Sequence, residues 1–320
     1  MEQKPTIVVT NGTAGEGRWA IYYLLKTGLF NVRATVRRPE SELSQALKAM
    51  TVDGHSCEVV KAANEDQQAL EAAFEGAQGI YGTTIYNIYA KKYIAENPEE
   101  VAQGKALIAA AKNSSTLEHF VFQTMTRFET HPEDIGRESP IHFRTKWMLE
   151  DMVQQEGLPW TLLRQPAYIR QIKFGLLRKN RLVYPYPPDT RLSYVAEEDL
   201  GKFVAQIFAQ RDRFMHQTVK GVSEVVSPTE LAFRIHAIEP EFNPKYRQAT
   251  KIENAIFDHI VVRFNPAYRY VSQINGNLMA GNPFDMDVSD QEYCAHLIGK
   301  LKLCTIEDWL RDDHFNNGSS

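Results

Sequence analysis

The feature that most constrains this chain is a strand, a glycine-rich loop, a helix and a second strand within its first 36 residues. The apolar, β-branched run Thr6 to Thr10 stops at Asn11-Gly12, which is typical of a buried parallel strand. Large side chains recur at helical spacing from Arg18 to Lys26, and Gly28 marks the end of that helix. Asn31 to Val36 then forms a second strand. Because two parallel strands joined by a helix make a right-handed crossover, this pattern predicts a parallel sheet.

The same alternation continues to residue 165 and predicts an α/β fold with a doubly wound parallel (Rossmann) sheet. Further helices are predicted at 42–50, 65–74, 98–112 and 143–156, and further strands at 56–61, 79–84, 119–123 and 160–164. Beyond Gln165 the alternation breaks, and the prolines of 182–188 exclude a regular helix there. One more unit appears at 193–209, and the pattern from Ser227 onward is mostly helical. We expect a first domain of residues 1–165, to which 189–223 return, and a smaller, mostly helical region made of 166–188 and 224–320.

Composition excludes several classes of protein. With 320 residues, 43% of them hydrophobic and 24% charged, the chain has an ordinary globular composition. A net charge of −4 gives no electrostatic case for nucleic acid as a main partner, although it leaves room for a local basic cluster. Cys57, Cys294 and Cys304 are too few and too scattered for a disulfide framework or a metal site. No signal-like start and no apolar run of about 18 residues is present, so we expect a cytoplasmic protein with no membrane partner.

The loop between the first strand and helix, Asn11 to Gly17, has the small residues that a phosphate site needs. There the backbone N–H groups and the helix N-terminus must approach a pyrophosphate closely. A glycine-rich run alone is weak evidence, but its position between a strand and a helix favours a dinucleotide site. A plain turn without a ligand is the alternative.

Two cations stand at the end of the second strand, where the choice between NAD and NADP is made. An acid there would bind the ribose 2′-hydroxyl of NAD, whereas an arginine accommodates the 2′-phosphate of NADP. The sequence has Arg37 and Arg38, which favour NADP(H). The alternative is a pair of arginines on a solvated loop.

Six stretches together resemble one known family. They are Val8–Gly17, Val32–Pro39, Gly104–Lys112, His142–Lys146 with Glu150, Gly157–Arg164 followed by Pro166, and Tyr194–Leu200. The layout is similar to the NmrA-like branch of the atypical short-chain dehydrogenase/reductases, which also includes isoflavone, phenylcoumaran and pinoresinol/lariciresinol reductases. The resemblance spans residues 5 to about 205. It implies a Rossmann fold that binds NADP(H).

The resemblance also implies which residues contact the cofactor. Family members carry G-x-x-G-x-x-G, whereas this chain has Asn11 and Ala14 at the first two glycine positions and Gly17 at the third. Asn tolerates positive φ and Ala is small, so we expect the loop to form. The family's acidic residue near the adenine falls on Ala63, and Asn64 is expected to contact that ring instead. The implied cofactor residues are Asn11, Gly12, Thr13, Ala14, Gly15, Glu16, Gly17, Arg37, Arg38, Asn64, Thr83, Thr84, Tyr86, Gln123, Thr124, Lys146, Pro166 and Tyr168.

The Tyr-x-x-x-Lys motif of ordinary short-chain reductases is replaced at its expected place. Tyr22 to Lys26 matches the motif, but it lies on the first helix and is a chance match. The expected place reads His142-x-x-x-Lys146. By resemblance, Lys146 is the first candidate for a general acid or base, and we expect His142 to titrate near neutrality, so that it could itself shuttle a proton. The alternatives are a lysine that only orients the ribose and an exposed histidine at a helix start.

These features predict an NADPH-dependent reductase that transfers a hydride to a small, aromatic or carbonyl-bearing substrate. The substrate would bind between the sheet edge and the segments 166–188 and 224–320. The rival is a non-catalytic NADP(H) sensor that regulates a partner protein, as known in parts of the NmrA-like branch. Nucleotide-sugar epimerisation is disfavoured, because that chemistry relies on the missing tyrosine and lysine pair.

Overall fold

A computed structural model describes residues 4–86, 97–172, 181–238, 240, 243–262 and 269–311. Its strands are β1 (Thr6–Val9), β2 (Asn31–Val36), β3 (Thr51–Val52), β4 (His55–Lys61), β5 (Gly79–Gly82), β6 (His119–Met125), β7 (Trp160–Gln165), β8 (Ala167–Tyr168), β9 (Arg181–Tyr184), β10 (Leu192–Val195), β11 (Thr218–Lys220), β12 (Glu224–Val226) and β13 (Lys245–Gln248).

The helices are α1 (Gly15–Thr27), α2 (Glu42–Ala49), α3 (Gln67–Phe74), α4 (Pro98–Asn113), α5 (Ile141–Gln155), α6 (Glu197–Ala209), α7 (Arg211–Phe214), α8 (Pro228–Ile238), α9 (Lys251–Ile256), α10 (Arg269–Met279), α11 (Val288–Ile298) and α12 (Ile306–Arg311). Short 3₁₀ turns at Pro132–Ile135 and Ile169–Gln171 and a π turn at Phe257–Val261 complete the set.

Within the described ranges, eight strands form the central sheet in the order β11-β7-β6-β5-β1-β2-β4-β3. All neighbours are parallel except β3, which pairs antiparallel with β4. Strand β1 lies between β2 and β5, so the chain order reverses on either side of β1. This reversal is where doubly wound sheets bind ligands, at the carboxyl ends of the strands. The doubly wound parallel sheet predicted from the sequence is confirmed.

Helix α1 is amphipathic and covers one face of the sheet with Ala20, Ile21, Leu24 and Leu25. It ends at Gly28, whose φ of 66° is left-handed, as a C-terminal glycine cap requires. Helix α6 packs against α1 on the same face, and helices α3, α4 and α5 cover the opposite face. The site at the strand ends is thus framed by helices on both faces.

The stretch 189–223 divides between two sheets. Helix α6 packs on α1, and β11 extends the central sheet beside β7. Strand β10 instead joins a three-stranded sheet with β8 and β12, and β9 pairs with β13. A separate apolar core lies under this second layer, where the helices α8 and α12 pack. The predicted division into two domains stays a prediction.

Asp285 ties the C-terminal layer to the end of β6. Its carboxylate accepts hydrogen bonds from Thr126 Oγ1 at 3.1 Å and from the Arg127 N–H at 3.0 Å. The nearby Glu150 is fully buried and pairs with Arg127 at 2.7 Å and with Arg164 at 2.5 Å. The Asp285 contacts hold the C-terminal layer over the carboxyl edge of the sheet. No helix in the described ranges is both long and apolar enough to span a bilayer.

Candidate functional site

The glycine-rich loop forms although Asn11 and Ala14 replace two glycines of the family pattern. Asn11, at the first glycine position, has a φ of 53°, and Ala14 at the second is extended with φ −68° and ψ 157°. Asparagine is one of the few residues that enters the left-handed region at modest cost, and an extended alanine costs nothing. The Asn11 Nδ2 also donates to the carbonyl oxygen of Thr83 at 3.1 Å and to its Oγ1 at 3.0 Å. The loop therefore forms without the family's first two glycines.

Two glycines of the loop are required by close packing. A side chain on Gly17 would lie 2.5 Å from the Asn11 carbonyl oxygen, and one on Gly12 would lie 2.9 Å from the Ala34 Cβ. Gly17 thus lets α1 begin directly against the loop, and Gly12 lets the loop pack on β2. In dinucleotide-binding loops the third glycine allows this close packing of helix and strand, and Gly17 occupies that position.

The N-terminus of α1 has the features of an anion site. Ala14 provides no side-chain cap, and the first intrahelical bond runs from the Arg18 N–H to the Ala14 carbonyl oxygen at 2.9 Å. The N–H groups of Gly15, Glu16 and Gly17 precede that bond and have no acceptor among the described residues. Thr13 is the remaining loop residue and is partly exposed. Free N–H groups and the helix dipole together favour a phosphate here.

A carboxylate from α6 also reaches this loop. Glu197 fills the space where a side chain on Gly15 would lie, with its carboxylate oxygens 2.5 and 2.9 Å from that position. Arg170 pairs with Glu197 at 2.8 Å, while burial raises the pKa of the Glu197 carboxyl. No sequence pattern indicated this contact, because Glu197 lies about 180 residues from the loop in the chain.

The carboxyl ends of β2 and β4 meet beside the loop. Arg37 follows β2 and pairs through both guanidinium NH₂ groups with the carboxylate of Glu65, which follows β4; the Nη2 to Oε2 distance is 2.7 Å. Arg38 is exposed, and its carbonyl oxygen accepts a hydrogen bond from Ser44 Oγ at 2.8 Å. The sequence assigned the expected acid to Ala63 and found none. The structure places an acid two residues later, at Glu65.

Asn64 lies inside this edge. Its side chain is buried, and its Nδ2 donates to the Thr83 carbonyl oxygen at 2.6 Å. Its Oδ1 is also buried and has no hydrogen-bond partner among the described residues. Such an acceptor is costly to leave unsatisfied, and the exocyclic amine of an adenine would satisfy it.

A chain of amide and phenol groups links the ends of β5, β6 and β7. The Tyr81 hydroxyl donates to Gln123 Oε1, Gln123 Nε2 donates to Gln165 Oε1 at 2.5 Å, and Gln165 Nε2 donates to the Tyr168 hydroxyl at 3.0 Å. Burial, followed by the charge of Glu16, raises the pKa of both phenols well above 10. Both phenols therefore stay protonated and position their neighbours. Gln165 was missed, although a glutamine that ends an apolar strand is a usable signal.

Pro166 and Thr124 lie at the same edge. Pro166 is buried between β7 and β8, and it places the partly exposed Tyr168 beyond the strand end. Thr124, buried at the end of β6, donates through Oγ1 to the Lys146 carbonyl oxygen at 3.4 Å. Thr124 thus links the end of β6 to the α5 backbone at Lys146.

Lys146 is buried, and its ammonium contacts three oxygen atoms. Its Nζ lies 2.7 Å from the Thr84 carbonyl oxygen, 2.6 Å from Thr84 Oγ1 and 3.0 Å from Glu100 Oε1. The side chains of Lys146 and Glu100 are 7% and 0% exposed. Glu100 also accepts from Thr84 Oγ1 at 2.9 Å, and its Oε2 has no hydrogen-bond partner in the described part of the chain. No sequence pattern pointed to Glu100, because it lies on a helix remote from Lys146 in the chain.

His142 corrects one expectation. It lies in the first turn of α5, partly buried, with its ring 4.3 Å from the ring of Tyr86 between centroids. Burial, aided by the Lys146 cation, lowers the pKa of His142 to about 4, although Glu100 acts in the opposite direction. The expectation that His142 titrates near neutrality is therefore wrong, because the imidazole is desolvated. A neutral His142 can hold a hydrogen bond but does not carry the second ring proton at pH 7.

The Tyr-x-x-x-Lys match on α1 lies outside the site. The Lys26 ammonium lies 5.5 Å from the centroid of the Tyr22 ring, at the end of α1 remote from the loop. The predicted residues of the loop and of the strand ends are otherwise brought to one edge of the sheet. The residues that the sequence interpretation did not assign there are Glu65, Tyr81, Glu100, Gln165 and Glu197.

Comparisons with known proteins agree with this architecture. The model of the NmrA-like family matches residues 3–310. An NmrA-like family domain-containing oxidoreductase, notA of Aspergillus sp. (strain MF297-2), is 23% identical over 97% of both chains. The crystal structure of NmrA, a negative transcriptional regulator, in complex with NADP has a TM-score of 0.74 at 19% identity and covers 100% of this chain and 99% of its own.

Two further solved structures have the same fold. NmrA in complex with NAD has a TM-score of 0.73 at 18% identity, with 100% of this chain and 99% of that chain covered. An NADPH-dependent quinone oxidoreductase from Escherichia coli has a TM-score of 0.69 at 18% identity, with 96% and 98% covered. Since the family model spans nearly the whole length, this chain belongs to the NmrA-like family.

Proposed function

We propose that this protein is an NAD(P)H-dependent reductase that acts on a small, aromatic or carbonyl-bearing substrate, with Lys146 as the proton donor. The observation that carries the proposal is the buried Lys146 ammonium, which lies at the carboxyl edge of β5 and β6 beside Thr84. A group that donates a proton there would act next to the place where a doubly wound fold presents its cofactor. The relative notA, similar over almost its full length, is described as an oxidoreductase.

The residues present fit a nicotinamide dinucleotide. The uncapped N–H groups of Gly15 to Gly17 suit a pyrophosphate, and the orphaned Asn64 Oδ1 suits an adenine amine. NmrA has been crystallised in complex with NADP and with NAD, and the quinone oxidoreductase is described as NADPH-dependent. When bound, the nicotinamide supplies the hydride.

The chain's own residues would bind, orient and supply the proton. The loop Asn11 to Gly17 would hold the pyrophosphate, and Arg37 with Arg38 would face the ribose that carries the 2′ substituent. Pro166, Tyr168 and the amide chain through Gln123 would shape the nicotinamide side. Lys146 would donate a proton from Nζ to the substrate oxygen, and Glu100 would balance its charge. The C-terminal segments would cover the substrate.

Turnover and cofactor binding test the proposal separately. Binding of NADPH and NADH is measured by quenching of intrinsic fluorescence. Turnover is measured as loss of reduced-nicotinamide absorbance with a panel of quinones and aromatic carbonyl compounds. We expect Lys146→Met to lower turnover about 100-fold or more and to leave NADPH bound, since general acid catalysis contributes about 10²–10⁴-fold.

A matched control is available on the surface. Lys112 pairs with Glu156 at 2.6 Å and is exposed, so Lys112→Met removes one lysine without touching the site. If Lys146→Met turned over like Lys112→Met, Lys146 would not be the proton donor. If the wild-type protein failed to bind either nucleotide, the reductase proposal itself would fail.

One observation favours a second function, an NADP(H)-sensing regulator that binds a partner protein. The Lys146 ammonium already contacts three oxygen atoms, and the residue in the tyrosine position, His142, is neutral at pH 7. NmrA itself is described as a negative transcriptional regulator. A wild-type protein that binds NADPH but turns over none of the panel would favour the sensor.

A further inference from the structure

The pair of Arg37 and Glu65 stands at the open edge of the sheet. Arg37 follows β2 and Glu65 follows β4, and these strands are neighbours in register, with Val36 opposite Lys61. The two side chains pair through both guanidinium NH₂ groups, yet they are 56% and 42% exposed. The pair is therefore accessible from the solvent, at the edge where the adenosine half of a dinucleotide would lie.

Each partner has the chemistry to recognise a different cofactor. A guanidinium binds a phosphate through two parallel hydrogen bonds and prefers the dianion of a phosphate monoester. A carboxylate accepts hydrogen bonds from ribose hydroxyls and repels a phosphate. An arginine alone at this position favours NADP(H), and an acid alone favours NAD(H). In this protein both side chains lie at the same position.

We propose that Arg37 and Glu65 form a cofactor selector through which the protein accepts both NAD(H) and NADP(H). With NAD(H), Glu65 stays paired and accepts a hydrogen bond from the ribose 2′-hydroxyl. With NADP(H), the 2′-phosphate takes the place of Glu65 on Arg37. The inference rests on the proposed binding of a nicotinamide dinucleotide and names the residues that set its selectivity.

Three features of the structure support the exchange. The hydrogen bonds from Arg37 lower the pKa of the Glu65 carboxyl, so Glu65 is ionised at pH 7 and opposes a phosphate. Surface pairs of this kind are weak because solvent screens them, so a phosphate dianion competes effectively for the guanidinium. Arg38 is exposed beside Arg37 and adds a second positive charge. Glu65 thus lowers the preference for NADP(H) that the two arginines alone would give.

The same two strands supply a matched control. Arg33 and Glu58 pair at 2.7 Å and are opposite each other in the β2 and β4 register, and Glu58 is exposed. This pair lies toward the other end of the strands, away from the carboxyl edge. Glu58→Gln therefore removes an equivalent surface charge without reaching the cofactor.

The experiment compares the affinities for NADPH and NADH of the full-length protein and of the variants Glu65→Gln, Arg37→Met and Glu58→Gln. Binding is measured by fluorescence titration, and circular dichroism checks that each variant is folded. We expect Glu65→Gln to raise the ratio of NADPH to NADH affinity at least about tenfold, by losing NADH and gaining NADPH. Arg37→Met should lower the ratio at least about tenfold, and Glu58→Gln should leave it unchanged.

The outcomes separate this inference from the proposed function. A ratio in Glu65→Gln within about twofold of that in Glu58→Gln would overturn the selector while leaving dinucleotide binding intact. A wild-type preference for NADPH above about 1,000-fold would also overturn it, because Glu65 would then not support binding of NADH. If neither nucleotide bound to the wild-type protein, the selector and the proposed function would fall together.

Discussion

Breaking the buried pair of Lys146 and Glu100 should destabilise the fold far more than removing both charges. In Glu100→Met the Lys146 ammonium stays 7% exposed and loses the carboxylate that lies 3.0 Å away. Removing one partner of a buried pair costs about 3–5 kcal/mol, because the remaining charge is uncompensated. Both oxygen atoms of Thr84 still accept from Lys146, so we expect the lower end, about 3 kcal/mol.

The double variant Glu100→Met with Lys146→Met removes both charges and keeps similar side-chain volumes. We expect its free energy of unfolding to be within about 1–2 kcal/mol of the wild-type value, or above it, since apolar replacements of buried pairs are often neutral or stabilising. The summed losses of unfolding free energy in the two single variants would then exceed the loss in the double variant by more than about 2 kcal/mol. A double-mutant cycle measures this difference directly.

Urea unfolding followed by circular dichroism gives these free energies. The dependence of the unfolding free energy on urea concentration should be the same in all the variants. The control is Lys112→Met, which breaks an exposed pair and should cost less than about 1 kcal/mol. A cost of Glu100→Met below about 1 kcal/mol, or additive single variants, would refute the view that this pair is a coupled buried unit.

Three further predictions concern the loop and one buried histidine. Asn11→Ala should cost about 2–3 kcal/mol in urea unfolding, since it loses left-handed tolerance and the bonds to Thr83, whereas Asn11→Gly should cost only about 1 kcal/mol; the reverse order would contradict the backbone argument. Gly17→Ala should destabilise by about 1–3 kcal/mol and weaken NADPH binding, because its Cβ would meet the Asn11 carbonyl oxygen, and unchanged binding by fluorescence titration would count against this close approach. Burial lowers the pKa of His119 to about 4 in the folded protein, so the unfolded chain takes up the proton first and stability falls as pH drops from about 6.5 to about 4, by about 3 kcal/mol at most. The variant His119→Gln should make that part of a stability profile measured by urea unfolding less steep, while His142, whose pKa is also lowered to about 4, still contributes; an unchanged slope would contradict the role given to His119.

The central sheet could be predicted because its signals are local. The run Thr6 to Thr10, the small residues of the loop and the glycine at position 28 each act on their own neighbours in the chain. The same holds for Asn11, whose own side chain tolerates the left-handed φ of 53°. Strand β10 was harder to place, because a short apolar run carries no information about which strand it will pair with.

The partners of the site residues could not be predicted for the same reason. Glu100 reaches Lys146 across 46 positions of the sequence, and Glu65 reaches Arg37 across 28. Acids in helices and loops are common, and their spacing does not reveal which cation they meet in the fold. The pKa of His142 was misjudged because burial at a helix start depends on what covers it, which the sequence does not show.

Two cations of the site, Lys146 and Arg37, are each paired with an acid. How deeply each pair is buried decides whether a ligand can replace the acid. Breaking the pair of Lys146 and Glu100 would cost several kcal/mol, so under the proposed function the two side chains must stay together during binding, and Lys146 must regain the proton that it donates in each turnover. The pair of Arg37 and Glu65 is half exposed, and pairs of that kind contribute only about 0–1 kcal/mol. A single phosphate dianion can therefore open it. The buried pair fits a fixed chemical role, and the exposed pair fits the choice between two cofactors.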